Sequence, residues 1–151
     1  MATIAVACAT LAVACGGGGN DGDESGLPTE PLQLGVDVGD CFDRPTSPDV
    51  TAVPTVDCDR LHDFEAYAVV NLEGDTYPGD VEVAGMARSA CNEQFQDYVG
   101  VPPGDSGLVV VPVAPTVGHW DVDLREVTCT VTLREPEQLE GSVRGSKRPQ
   151  G

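Results

Sequence analysis

The chain has 151 residues, room for one domain once its flanking segments are set aside. Twenty-five acidic groups against eight basic ones leave a net charge of -17. A surface of that sign repels phosphate backbones and excludes nucleic acid as a partner, while serving solubility.

Ala2 to Ala14 is an apolar run of small and β-branched residues that ends at Cys15. It has the length of a signal-peptide core and is too short to span a bilayer as a helix. Residues 1–14 are therefore expected to be a signal peptide. Ala12-Val13-Ala14-Cys15 is similar to a lipobox, which makes Cys15 the expected lipidation site and the first residue after cleavage. Leu11 sits one place earlier than the usual pattern, and no Lys or Arg precedes the run, consistent with translation starting further upstream. The plainer alternative is an ordinary secretory signal, since Ala12-x-Ala14 also satisfies a small-x-small cleavage rule; both export the chain. Gly16 to Gly19 and the acidic stretch behind them give a flexible tether over 15–33, suited to holding a domain off a membrane. Asp21-x-Asp23-x-Ser25-Gly26 opens like a calcium loop, but Leu32 stands where the twelfth-position Glu is required.

Ordered structure is expected over 34–148. Val36 to Phe42 reads as a short strand, and Val50 to Cys58 is β-rich with Pro54 marking an edge. Phe64 to Leu72 is a better strand. Asp80 is placed to cap a helix that runs to Val99. There Val83, Ala87, Ala90, Cys91, Phe95 and Tyr98 make one apolar face, and Gly100, Pro102 and Pro103 end it. Leu108 to Pro115 is a continuous apolar run, the pattern of a buried strand. Arg125 to Arg134 alternates cleanly, with Val127, Cys129, Val131 and Leu133 on one face and Glu126, Thr128, Thr130 and Thr132 on the other. The expected fold is α+β: a small, mostly antiparallel sheet with one amphipathic helix packed on it, stabilised by disulfides.

Cysteines stand at 8, 15, 41, 58, 91 and 129, with no C-x-x-C pair to support a zinc ribbon or a thioredoxin-like motif. Cys41, Cys58, Cys91 and Cys129 remain once the leader is set aside, enough for two bridges. Cys91 and Cys129 both point inward, and a helix laid on the sheet brings them together, leaving Cys41 with Cys58. Four cysteines nonetheless permit three pairings.

An ordered series of motifs carries a family resemblance. It comprises Val38-Gly39-Asp40-Cys41-Phe42, Val56-x-Cys58-x3-His62-x2-Glu65 and Cys91-x3-Phe95-x2-Tyr98-Val99-Gly100. Pro115 and Trp120 follow, then Arg125-x3-Cys129 and Gly141-Ser142-Val143-Arg144-Gly145. From Val36 to Arg148 the chain resembles the septum-formation family of actinobacterial envelope proteins. It departs at Asp123, where the resemblance leads to Gly, and at Leu61, where it leads to Pro. The resemblance implies an exported domain, often membrane-tethered and loosely associated with cell division, with no catalytic residue.

Gly104-Asp105-Ser106-Gly107 copies a serine-protease tetrapeptide, but Leu108 follows it, and a turn feeding a strand is the simpler reading. His62, Asp63, Glu65 and His119 are ligand types without diagnostic spacing, so neither a metal nor any other cofactor is expected. His62, Glu65, Trp120 and Arg125 are the candidate binding residues. The plainer roles are a structural histidine near the Cys58 bridge and a Trp capping a core poor in aromatics. Arg144, Lys147 and Arg148 read as a solvated basic tail. The leading expectation is a non-catalytic lipoprotein, lipid-anchored on the outer face of the cell membrane. Its partner would be a division protein, a cell-wall protein or a wall polymer. The alternative is a small secreted hydrolase or metal-dependent enzyme using His62 and nearby carboxylates.

Overall fold

A computed structural model describes residues 34–46 and 52–148 of the protein. The expected signal peptide, Cys15, the tether and the calcium-like loop lie outside the described residues. Among the described residues, no helix is long and apolar enough to cross a membrane.

Five strands form one antiparallel sheet: β1 (Cys41–Phe42), β2 (Thr55–Val56), β3 (Phe64–Asn71), β4 (Val109–Val113) and β5 (Glu126–Thr132). Their spatial order is β2-β1-β3-β5-β4. Between β3 and β5 the register shifts at Ala66/Ala68. This bulge lets Tyr67 and Ala68 both reach the same core.

Helix α1 (Asp80–Val99) lies over that side of the sheet. It buries Val83, Ala87, Cys91, Phe95, Tyr98 and Val99 with Val127, Cys129 and Val131. Each large apolar chain so buried contributes roughly 1.5–3 kcal/mol, and this sum outweighs the weak intrinsic preference of a mixed sequence. Gly79, not Asp80, is the N-cap; Asp80 is the first helical residue, and its carboxylate accepts from the Tyr77 hydroxyl. The chain enters the helix at Gly79 with φ 107, a conformation suited to glycine, which moves the cap one place back. Asp80 and Glu82 still offset the positive end of the helix dipole.

The other sheet face is covered by a smaller cluster of Val36, Phe42, Val53, Phe64 and Ala66, with Leu34 and Val111 against it. Thr128, Thr130 and Thr132 are therefore buried, and Thr130 Oγ1 donates to the Val111 carbonyl at 2.6 Å. The apolar run at Leu108 to Pro115, expected as a buried strand, is the half-buried edge strand β4. Pro112, which lacks an N–H, fits an edge position. A second helix, α2 (Val117–Asp121), was not anticipated; Thr116 and His119 cap it reciprocally.

Among the described residues the bridges are Cys41–Cys58 and Cys91–Cys129. The second ties α1 to β5 across the main core.

Candidate functional site

The motif residues scattered through the sequence meet in two places. The first is built around Glu65, which β3 carries on the helix side opposite Cys41 and Val131. Its carboxylate is fully buried, with 0% exposure. Oε1 accepts from the Tyr98 hydroxyl and from Ser142 Oγ, both at 2.7 Å; Oε2 accepts from the Val143 N–H at 2.7 Å. A buried carboxylate is tolerated because charge-assisted bonds of this kind replace its lost hydration. The three donors come from the end of α1 and from the C-terminal segment, so Glu65 clips that segment to the sheet.

The expected solvated tail is thus a strap. The Gly145 N–H bonds the Tyr98 carbonyl at 2.8 Å and the Lys147 N–H bonds the Val99 carbonyl at 2.9 Å, taking up orphan acceptors at the end of α1. Gly100 closes the helix in the left-handed region, φ 95. The Arg144 guanidinium lies 4.4 Å from the Tyr98 ring centroid. Gly39, in the turn before β1 beside Tyr98 and Arg144, has φ 103, a conformation suited to glycine.

His62 is also fully buried. Its backbone pairs with Leu139 through bonds of 3.0 and 2.8 Å, and its Nδ1–H donates to the Arg60 carbonyl at 2.8 Å. Nε2 consequently carries the lone pair and has no hydrogen-bond partner. A ring nitrogen of His62, Cys41 Sγ and a Glu65 oxygen lie within 4.8 Å of one another. With the Cys41–Cys58 bridge closed, that sulfur is no thiolate and offers a metal little. Asp63, its neighbour, faces elsewhere: the Arg44 N–H holds its carboxyl below the usual value, and Gln138 binds its other oxygen.

Tyr98 is pushed up to about 12 from its ordinary 10.0, first by burial and then by its bond to the Glu65 carboxylate. Unfolded, it loses its proton near 10.0. Its stabilising contribution is therefore whole below that pH and is lost as pH rises from 10.0 to about 12. Tyr67 is raised in the same direction by burial. Denaturant midpoints across this range are expected to fall less steeply for Tyr98→Phe than for the unaltered chain; equal slopes would remove Tyr98 as a source.

The second meeting point is a clamp around Arg125. Nε donates to the Gly74 carbonyl at 3.0 Å and Nη1 to the Trp120 carbonyl at 2.8 Å, while Nη2 pairs with Asp123 at 3.1 Å. The guanidinium covers the Trp120 ring at 4.3 Å and Tyr77 meets that ring edge-on. The loop before α1 is thereby fixed to the α2–β5 loop. Asp123, where the motif series leads to Gly, has φ 63. That left-handed turn is one glycine adopts freely and aspartate tolerates.

The four candidate binding residues thus fall into two separate clusters. His62 and Glu65 are buried, and Trp120, at 4% exposure, presents no ring to a partner. The Arg125 side chain is 13% exposed and fully engaged. Ser106 of the protease-like tetrapeptide is buried and accepts the Leu108 N–H at 3.2 Å, as in a turn. His119 Nδ1 accepts the Thr116 N–H in capping α2. The strap role of Ser142 and Val143 went unread; an acidic residue inside an otherwise apolar strand was the available signal.

A disulfide-braced α+β domain whose C-terminal segment is clipped to a buried glutamate defines the class of the molecule. The family described as "Septum formation" matches residues 36–150, and the chain belongs to that family. It is not a known enzyme family. Among curated proteins and among solved structures, nothing matches the chain.

Proposed function

We propose that the protein is a lipid-anchored lipoprotein of the cell envelope whose domain works by docking, without catalysis, in septum formation. Membership of the septum formation family over residues 36–150 carries this reading. The leader ending at Cys15 and the glycine-rich, acidic tether behind it support export and anchoring on the outer membrane face. The side chains that would serve a hydrolase support a non-catalytic role. Glu65 has both oxygens engaged by internal donors, and His62 is fully buried. A general acid or base needs reach to a substrate proton. The docking partner is a division protein, a cell-wall protein or a wall polymer.

The test is the position of a fluorescent fusion, active in an oxidising compartment, in dividing cells. Enrichment at the septum that is lost on Cys15→Ala or on deletion of 34–148 is the expected result. Uniform envelope signal would remove the division role, and cytoplasmic signal would remove the exported lipoprotein altogether.

A further inference from the structure

We infer that the Cys41–Cys58 bridge covers a latent metal site: when a dithiol opens it, Cys41, Cys58, His62 and Glu65 hold one zinc-like divalent cation. Cys41 Sγ, a His62 ring nitrogen and a Glu65 oxygen already stand within 4.8 Å of one another, and all three residues are buried. Cys58 Sγ is bonded to Cys41 Sγ and arrives with it. Tetrahedral ligands about 2.0–2.3 Å from a zinc ion lie a little under 4 Å apart, so Cys41, His62 and Glu65 need only a small contraction, while the two sulfurs must move apart once their bond opens.

The chemistry of the donors points the same way. His62 Nδ1–H is committed to the Arg60 carbonyl, which leaves Nε2 as an unpartnered lone pair inside the domain. Orientation of one ring nitrogen by a backbone carbonyl is the usual preparation of the other for a metal. Glu65 Oε2 receives one hydrogen bond, from Val143, and keeps a lone pair. Two soft sulfurs, an imidazole and a carboxylate are a zinc-type set.

Opening the bridge is a two-electron step. The dithiol is oxidised to its disulfide, and its two electrons and two protons pass to Cys41 and Cys58. The cation then displaces both thiol protons. Access favours this bridge over the other, because Cys58 is half-buried whereas Cys91 and Cys129 are fully buried. With Cys91–Cys129 closed and His62 paired to Leu139, the frame of the site persists.

The test uses the full chain carrying Cys8→Ser and Cys15→Ser, so that leader thiols take no part. It is reduced mildly until only Cys41 and Cys58 can be alkylated, freed of reductant under exclusion of oxygen, and titrated with Co²⁺. One Co²⁺ per chain with thiolate-to-cobalt absorption is expected, with none for the oxidised chain. His62→Gln, its fold checked by circular dichroism, should bind at least about tenfold more weakly. Absent bands, equal binding by His62→Gln, or a reduced chain that unfolds and does not refold with Co²⁺ would each overturn the site.

Discussion

Glu65→Ala is expected to destabilise the domain by about 3–5 kcal/mol, because a buried backbone N–H and a buried hydroxyl lose their acceptor together at about 1–3 kcal/mol each. The substitution strands the Tyr98 hydroxyl, Ser142 Oγ and the Val143 N–H together. The amide is the costliest of these, because a hydroxyl can turn toward another acceptor and a backbone N–H cannot. Domains are stable by only about 5–15 kcal/mol, so the loss takes a large fraction of the total. Ser142→Ala removes one rotatable donor and should cost only about 1 kcal/mol. Urea unfolding measures both, and hydrogen exchange at Val143 reports the strap itself. A cost under about 1 kcal/mol for Glu65→Ala, with Val143 still protected, would show that the strap is held by packing of Leu139 and Val143 instead.

Cys91→Ala with Cys129→Ala is expected to cost about 4 kcal/mol, mainly by restoring freedom to the unfolded chain across a 38-residue separation. The corresponding change at Cys41 and Cys58, separated by 17 residues, should cost about 3 kcal/mol on the same argument. The order matters more than the values. Cys91 and Cys129 join α1 to β5 inside the main core, and their loss also leaves space among Phe95, Val127 and Val131. Guanidinium unfolding of the two double variants tests this. A larger loss for the shorter loop would mean that native packing around Cys41, and not loop entropy, dominates.

Much of the frame was legible from side-chain periodicity. The helix over Asp80 to Val99 follows from Val83, Ala87, Cys91, Phe95 and Tyr98, because an amphipathic stripe has only one face to bury. Strict alternation from Val127 to Val131 fixed the inward direction of Cys129 in the same way. The pairing of cysteines then required the helix to lie on the sheet, a relation between elements that sequence spacing leaves open. The edge position of β4 was hidden for the same reason. An apolar run reports how much of a strand is covered, whereas its place in the order β2-β1-β3-β5-β4 depends on its neighbours.

The sequence by itself determined the long helix, the principal strands and the family, since each is written in short contiguous stretches. Only the tertiary structure decided what His62, Glu65, Trp120 and Arg125 do. Their roles rest on partners far away in the chain: Glu65 on Val143, 78 residues off, and Arg125 on Gly74, 51 residues off. A polar side chain read alone is equally suited to a surface or to a buried clip. The choice is made by whether folding brings enough donors and acceptors to replace water, and around Glu65 and Arg125 it does.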